Sequence, residues 1–132
     1  MAHAVATIGT ANWATRVVTG RHSLTVDEPP ALGGLDAGPA PYDVLLASLG
    51  ACTAITLRMY AERKGWPLTG ASVELKHHKD GDRSKVARVL HLTGDLDAAQ
   101  RARLADIAER TPVTLTLKAG ADIATTLAEA AA

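Results

Sequence analysis

The chain has no phenylalanine, and Trp13, Trp66, Tyr42 and Tyr60 are the only large rings among its 132 residues. Its interior must therefore be built from Ala, Leu and Val, and the stacking platforms that hold single-stranded nucleic acid are missing. Excess charge is missing too, because fourteen basic residues meet fourteen acidic ones. Steering to DNA or to an anionic membrane is thereby excluded. No apolar run is expected to approach the roughly 20 residues of a membrane span. The first ten residues lack the basic start and continuous apolar stretch of a signal peptide. Cysteine occurs once, at Cys52, so no disulfide can close within the chain. A lone thiol without a secretion signal fits a reducing cytoplasm.

What is present fits a single domain over residues 1–132. Residues 5–10, 12–19 and 21–26 are short, rich in Thr and Val, and punctuated by Gly9 and Gly20. They predict an antiparallel three-strand meander. Residues 27–40 hold Glu28-Pro29-Pro30, Gly33-Gly34 and Gly38-Pro39. A loop of that length in a small domain is more often functional than idle. Pro41 is suited to a first helical position and Asp43 to a first turn, while Arg63, Lys64, Gly65 and Pro67 mark a stop. The main helix is thus predicted from Pro41 to about Lys64. Leu45, Leu49, Cys52, Thr56 and Met59 form one stripe on it, and Leu46, Ala54, Leu57 and Ala61 a second apolar side. A helix apolar on two sides needs two covers, and in so small a chain the second is expected from another subunit.

Residues 72–79 and 85–93 alternate around Asp80-Gly81-Asp82, a hairpin signal. Asp97-Ala98-Ala99-Gln100 has the form of a capping box and opens a second helix with Leu104, Ile107 and Ala108 inward. Pro112 ends that helix. Val113, Leu115 and Leu117 then alternate with Thr114, Thr116 and Lys118 as a final strand. The Ala-rich tail after Gly120 is weakly determined. The order β-β-β-α-β-β-α-β is an α+β fold with a long central helix.

The chemistry turns on Cys52, which is either a small buried hydrophobe or a reactive thiol. A nucleophilic cysteine must be a thiolate, and a free thiol titrates near ~8.5. Cys52 lies about three turns into its helix, beyond reach of the macrodipole, and its same-face neighbours Ser48, Leu49, Ile55 and Thr56 carry no charge. Arg58, six residues on, points about a third of a turn away. No cofactor or metal is expected. His77 and His78 point to opposite faces of a strand, and Asp80-Gly81-Asp82 lacks the further acids of a calcium loop. Gly33-Gly34 lacks the Lys-Ser/Thr of a phosphate loop.

The segments Asp27-Glu28-Pro29, Leu32-Gly33-Gly34, Gly38-Pro39-Ala40-Pro41-Tyr42-Asp43, Leu49-Gly50-Ala51-Cys52-Thr53, Leu57-Arg58-Met59-Tyr60-Ala61 and Arg63-Lys64-Gly65-Trp66-Pro67-Leu68 resemble the OsmC/Ohr family of osmotically inducible and organic hydroperoxide resistance proteins. The resemblance covers nearly the whole chain. It implies an OsmC-like fold in an intertwined homodimer, with two central helices back to back. It also implies thiol peroxidase chemistry on small organic hydroperoxides, with an Arg and an acid supporting a peroxidatic cysteine. That cysteine falls on Cys52. The resolving cysteine would precede Pro112, where Thr111 stands, so an external thiol reductant is implied. The acid is expected at Asp43, one residue beyond the family's position. The loop over residues 27–40 has no Arg, which leaves Arg21, with Arg16 second, as the activating cation. Asp43 is nine residues from Cys52, about half a turn off its face, so these groups meet only through a partner subunit or a folded-back loop.

Two readings follow. One is a one-cysteine, cytoplasmic stress-response peroxidase with Cys52, Arg21 and Asp43 in its site. The other is a non-enzymatic homologue that keeps the fold and a pocket for an apolar ligand.

Overall fold

The computed structural model describes residues 1–129. Residues 130–132, the end of the Ala-rich tail, lie outside the described residues. By internal contacts the chain divides into two compact units. One holds Met1–Ala51 and Val73–Val89, and the other holds Cys52–Ser72 and the residues from Leu90 on. The long helix and the hairpin run through both.

In the first unit, β1 (Val5–Thr7), β2 (Thr15–Thr19) and β3 (His22–Val26) form the expected meander. Val5 pairs with Val18 and Thr7 with Arg16, then Thr15 with Val26 and Thr19 with His22, all antiparallel. β1 stops short of its predicted end, and β2 and β3 begin later than predicted. The β2–β3 turn is Gly20-Arg21, where Gly20 takes a left-handed φ of 60° that a side chain would resist. Residues 27–40 carry little regular structure beyond a 3-10 turn at Pro30–Leu32, yet their path is tied down by hydrogen bonds. The cause is Asp27, which is buried at the end of β3. Its Oδ1 accepts from the backbone N–H of Trp13 at 3.2 Å and of Glu28 at 2.7 Å. Its Oδ2 accepts from Leu35 at 3.2 Å and Ala37 at 3.1 Å. The Trp13 indole donates to the Leu32 carbonyl at 3.0 Å, which pins the 3-10 turn. A Cβ at Gly34 would overlap the Glu28 carbonyl, and one at Gly38 the Thr25 carbonyl, so the loop lies closely on the strand end.

The helix α1 spans Pro41–Lys64, as the sequence predicts. Asp43 Oδ2 accepts from the Ala40 N–H at 3.2 Å, satisfying one donor at the helix start. Its end is a Schellman turn: Gly65 has φ 70°, Gly65 N–H bonds the Glu62 carbonyl and Trp66 N–H bonds the Ala61 carbonyl. By length and composition α1 is long and apolar enough to cross a membrane. This corrects the expectation of no such run, and the cause is the Ala, Gly, Cys and Thr that fill the places between its larger apolar residues. Leu49, Thr53, Leu57 and Ala61 are its buried stripe, with Leu49 from one predicted side, Leu57 and Ala61 from the other, and Thr53 from neither. Leu45, Ile55 and Met59 remain open to solvent.

The hairpin joins β4 (Leu68–Asp80) to β5 (Arg83–Gly94) as a two-stranded sheet. The helix α2 (Ala98–Ala108) starts with the predicted capping box: Gln100 N–H to Asp97 Oδ1 at 2.8 Å, and Asp97 N–H to Gln100 Oε1 at 3.0 Å. The core of the second unit is Leu57, Ala61, Leu68, Leu104 and Ala108, ringed by Tyr60, Trp66, Leu90, Leu92, Leu96 and Ile107. It is aliphatic at its centre, as the missing phenylalanines require.

The predicted final strand is corrected. Pro112–Ala119 form a helix, α3. Pro112 sits at its first position, where its missing N–H is not needed. Thr111, Thr114 and Ala108 decide the matter: Thr111 and Thr114 are buried, their hydroxyls lie 2.6 Å apart, and Thr114 also reaches the Ala108 carbonyl at 3.4 Å. A three-residue step brings these hydroxyls together on a helix but separates them to opposite faces of a strand. The α+β class stands, with order β-β-β-α-β-β-α-α.

Candidate functional site

Cys52 is half-buried and unpaired in any disulfide. It lies on α1 beside the buried stripe. Leu45, Cys52 and Met59 recur every seven residues, so they share a face, and Ile55 lies three residues from Cys52 on it. Met59 is 60% and Ile55 54% exposed. The thiol therefore sits in the middle of the helix's uncovered apolar strip.

One turn along, an open groove of about 390 Å³ is lined by Ala54, Ile55, Arg58, Met59 and Ala71. Four of these five side chains are apolar. The fifth, Arg58, donates from its guanidinium to the Leu68 carbonyl, which ties it to the start of β4. This brings a cation to the groove that helix geometry alone placed off the Cys52 face. A signal for it was in the sequence, since Arg58 is the single cation between Pro41 and Glu62, but its direction depends on β4.

Arg21 is exposed at the tip of the β2–β3 turn, and Arg16 is exposed on β2. Neither guanidinium makes a hydrogen bond or ion pair among the described residues. Asp43 is exposed and spends one carboxylate oxygen on the Ala40 N–H. Cys52 likewise shows no polar side-chain partner among the described residues. Thr111, which stands where the resemblance puts a second thiol, is fully buried and bonded to Thr114.

Two clusters escaped the sequence reading. In the first unit Tyr42 stacks on His77, ring centroids 4.5 Å apart and planes 18° from parallel, and His77 Nε2 lies 3.0 Å from the Ser84 hydroxyl. In the second, Arg103 Nε donates to the Tyr60 hydroxyl at 3.0 Å and its Nη1 to Asp106 at 2.8 Å. Arg110 forks onto the same carboxylate at 2.8 and 2.9 Å. The Arg103 hydrogen bond, aided by the charges of Arg103 and Lys64, holds the Tyr60 phenol below its usual range. The Arg110 hydrogen bond does the same to the Asp106 carboxyl. Asp27 is also held below the usual carboxylate range, first by the Ala37 N–H, with those of Glu28, Leu35 and Trp13 adding to it and burial opposing. None of the three groups adjoins Cys52 in sequence. Among the described residues no set of His, Cys, Asp and Glu is placed to hold a metal.

The family model described as OsmC-like protein matches residues 33–126. No curated protein matches the chain by sequence. Its fold is similar to that of several solved structures. An OsmC-like protein from Mycoplasma pneumoniae superposes with a TM-score of 0.77 at 15% identity, over 89% of this chain and 87% of that one. An organic hydroperoxide resistance protein from Legionella pneumophila gives 0.65 at 24% identity, over 89% of each chain. The organic hydroperoxide resistance protein OhrB of Bacillus subtilis gives 0.62 at 22% identity, over 88% of this chain and 90% of that one.

Proposed function

Because the chain belongs to the OsmC-like protein family, we propose that it is a cytoplasmic stress-response protein in which Cys52 reduces small organic hydroperoxides. The observation that supports this most is the setting of Cys52: a half-buried thiol in an apolar strip, one turn from an apolar groove bearing a single cation. Such a groove suits the hydrocarbon part of a hydroperoxide and leaves its polar end near the sulfur.

The reaction in this reading begins with the Cys52 thiolate attacking the terminal oxygen of ROOH. The S–O bond forms, the O–O bond breaks, and the alkoxide leaves as ROH after taking a proton. Cys52 becomes a sulfenic acid. Thr111 has no sulfur to resolve it, so an external thiol attacks the sulfenic sulfur and displaces water. A second external thiol then cleaves the mixed disulfide and regenerates Cys52. Arg21 supplies the activating cation and Asp43 orients it.

The protein acts as a homodimer in this reading. The α1 of a second copy covers the Leu45, Cys52 and Met59 strip, giving the helix its second cover.

The test is single-turnover oxidation by an alkyl hydroperoxide, followed with a sulfenic acid probe. The native protein is expected to label at Cys52 and consume about one equivalent of peroxide without added thiol, and to turn over with a dithiol. Cys52→Ser should do neither. Arg21→Ala should slow Cys52 alkylation by iodoacetamide at neutral pH. If native protein and Cys52→Ser consume peroxide alike, the reading fails. The buried, hydrogen-bonded Thr111 favours a second reading, a binding protein without turnover. There, Cys52→Ala would retain ligand binding in the groove.

A further inference from the structure

Methionine occurs twice, at Met1 and Met59. Met59 lies on α1, is 60% exposed, and forms one wall of the groove. The other walls are Ala54, Ile55, Ala71 and Arg58. The groove thus presents one soft sulfur and one cation in an otherwise hydrocarbon surface.

A thioether differs from a thiol in having no proton to lose. Its lone pair attacks a peroxide oxygen in the form it always has, whereas a cysteine must first become a thiolate. Met59 therefore needs no activating cation, only a peroxide held against it. Arg58 supplies the hold. It precedes Met59 directly and is the polar member of the lining. One of its N–H groups is spent on the Leu68 carbonyl, and a guanidinium has several more to offer an oxygen in the groove.

We propose that Met59 is a second oxidisable sulfur of this protein, taken to its sulfoxide by an organic hydroperoxide seated in the groove. This rests on the reading of the groove as a seat for a hydroperoxide's hydrocarbon, and not on turnover at Cys52. With its hydroperoxyl end toward Arg58, ROOH meets the thioether. The sulfur lone pair takes the terminal oxygen, the S–O bond forms and the O–O bond breaks. Arg58 donates a hydrogen bond to the departing alkoxide, which collects the proton of the transferred oxygen and leaves as ROH. Sulfur loses two electrons and the peroxide gains them. The sulfoxide is polar and chiral, so it spoils an apolar wall. Excess hydroperoxide thereby lowers the affinity of the groove for hydrocarbon. Any assembly that lets a hydroperoxide occupy the groove lets it reach Met59.

The experiment uses the full chain carrying Cys52→Ser, with peptide mass spectrometry as readout and N-acetylmethionine amide in the same tube as an exposed standard. With cumene hydroperoxide, Met59 should gain oxygen at least about tenfold faster than the standard, a modest proximity gain. With hydrogen peroxide, which has no hydrocarbon to seat, it should gain oxygen no faster than the standard. The rate should be flat from about pH 6 to pH 8, unlike that of a thiol. A seated peroxide approaches from one side, so a reductase specific for one sulfoxide epimer should reverse nearly all of the product. The oxidised chain should bind cumyl alcohol at least about tenfold more weakly in an NMR titration. In a Met59→Leu chain the same treatment should leave the affinity where it was. Oxidation at the standard's rate with both peroxides, equal amounts of the two epimers, or undiminished binding of cumyl alcohol overturns the proposal. If Met59 stays reduced while Cys52 of the native chain forms its sulfenic acid, this proposal fails and the peroxidase reading stands. Selective oxidation of Met59 in a protein whose Cys52 never reacts supports this proposal and removes that reading.

Discussion

Asp27 shows how one side chain can hold a long loop. Its two oxygens satisfy four backbone donors spread over residues 13–37. The sign of its pH effect follows from its depressed ionisation. In the unfolded chain it titrates near ~3.9. Its contribution to stability is therefore complete above that pH and fades as the pH falls through the lower folded value. The urea midpoint of the native protein should drop as the pH falls below about 4. Asp27→Asn should have a lower midpoint at pH 7 and a flatter profile over that window. Equal slopes for the two proteins would remove the carboxylate from this role. Nothing in the sequence marked Asp27 for the task, because its partners are backbone groups and its burial depends on where the loop turns.

At the scale of elements, the sequence was most legible where local signals agree with tertiary packing. Pro41, Asp43, Gly65 and the Asp97–Gln100 pair each mark a helix end, and the last three make the bonds their types suggest. The final strand failed because Val113, Leu115 and Leu117 fit a period of two, whereas the buried Thr111–Thr114 pair fits a helix. That pair is invisible to a count of apolar residues. In the candidate site, the shared face of Leu45, Cys52 and Met59 was readable from helical spacing, but Leu49, placed on the same stripe, is buried. The groove was not readable, because Ala71 reaches it only through the path of β4. The packing itself makes a graded prediction. Leu57→Ala, at a fully buried core position, should cost about 2–5 kcal/mol by chemical denaturation. Gly65→Ala should cost only about 1–2 kcal/mol, from its left-handed backbone. The opposite order would mean that the α1 turn, not the aliphatic cluster, limits stability.

Over the whole molecule, the unmet surfaces are as informative as the core. The strip of Leu45, Ile55 and Met59 and the tail bearing Ile123 and Leu127 are apolar and open. If α1 packs on a second copy as proposed, replacing Ile55 and Met59 with Asp should leave a monomer in sedimentation, with helix content kept. A double variant that stays dimeric would remove α1 from the interface. The Asp27 cradle bears on a different question, that of sequence drift. All four of its donors are main-chain N–H groups, and every residue except proline supplies one. The side chains of Glu28, Leu35 and Ala37 can therefore be exchanged without loosening the cradle. The loop keeps its path while its outer chemistry remains open to change, so its surface can be rewritten for new ligands at little cost to the fold.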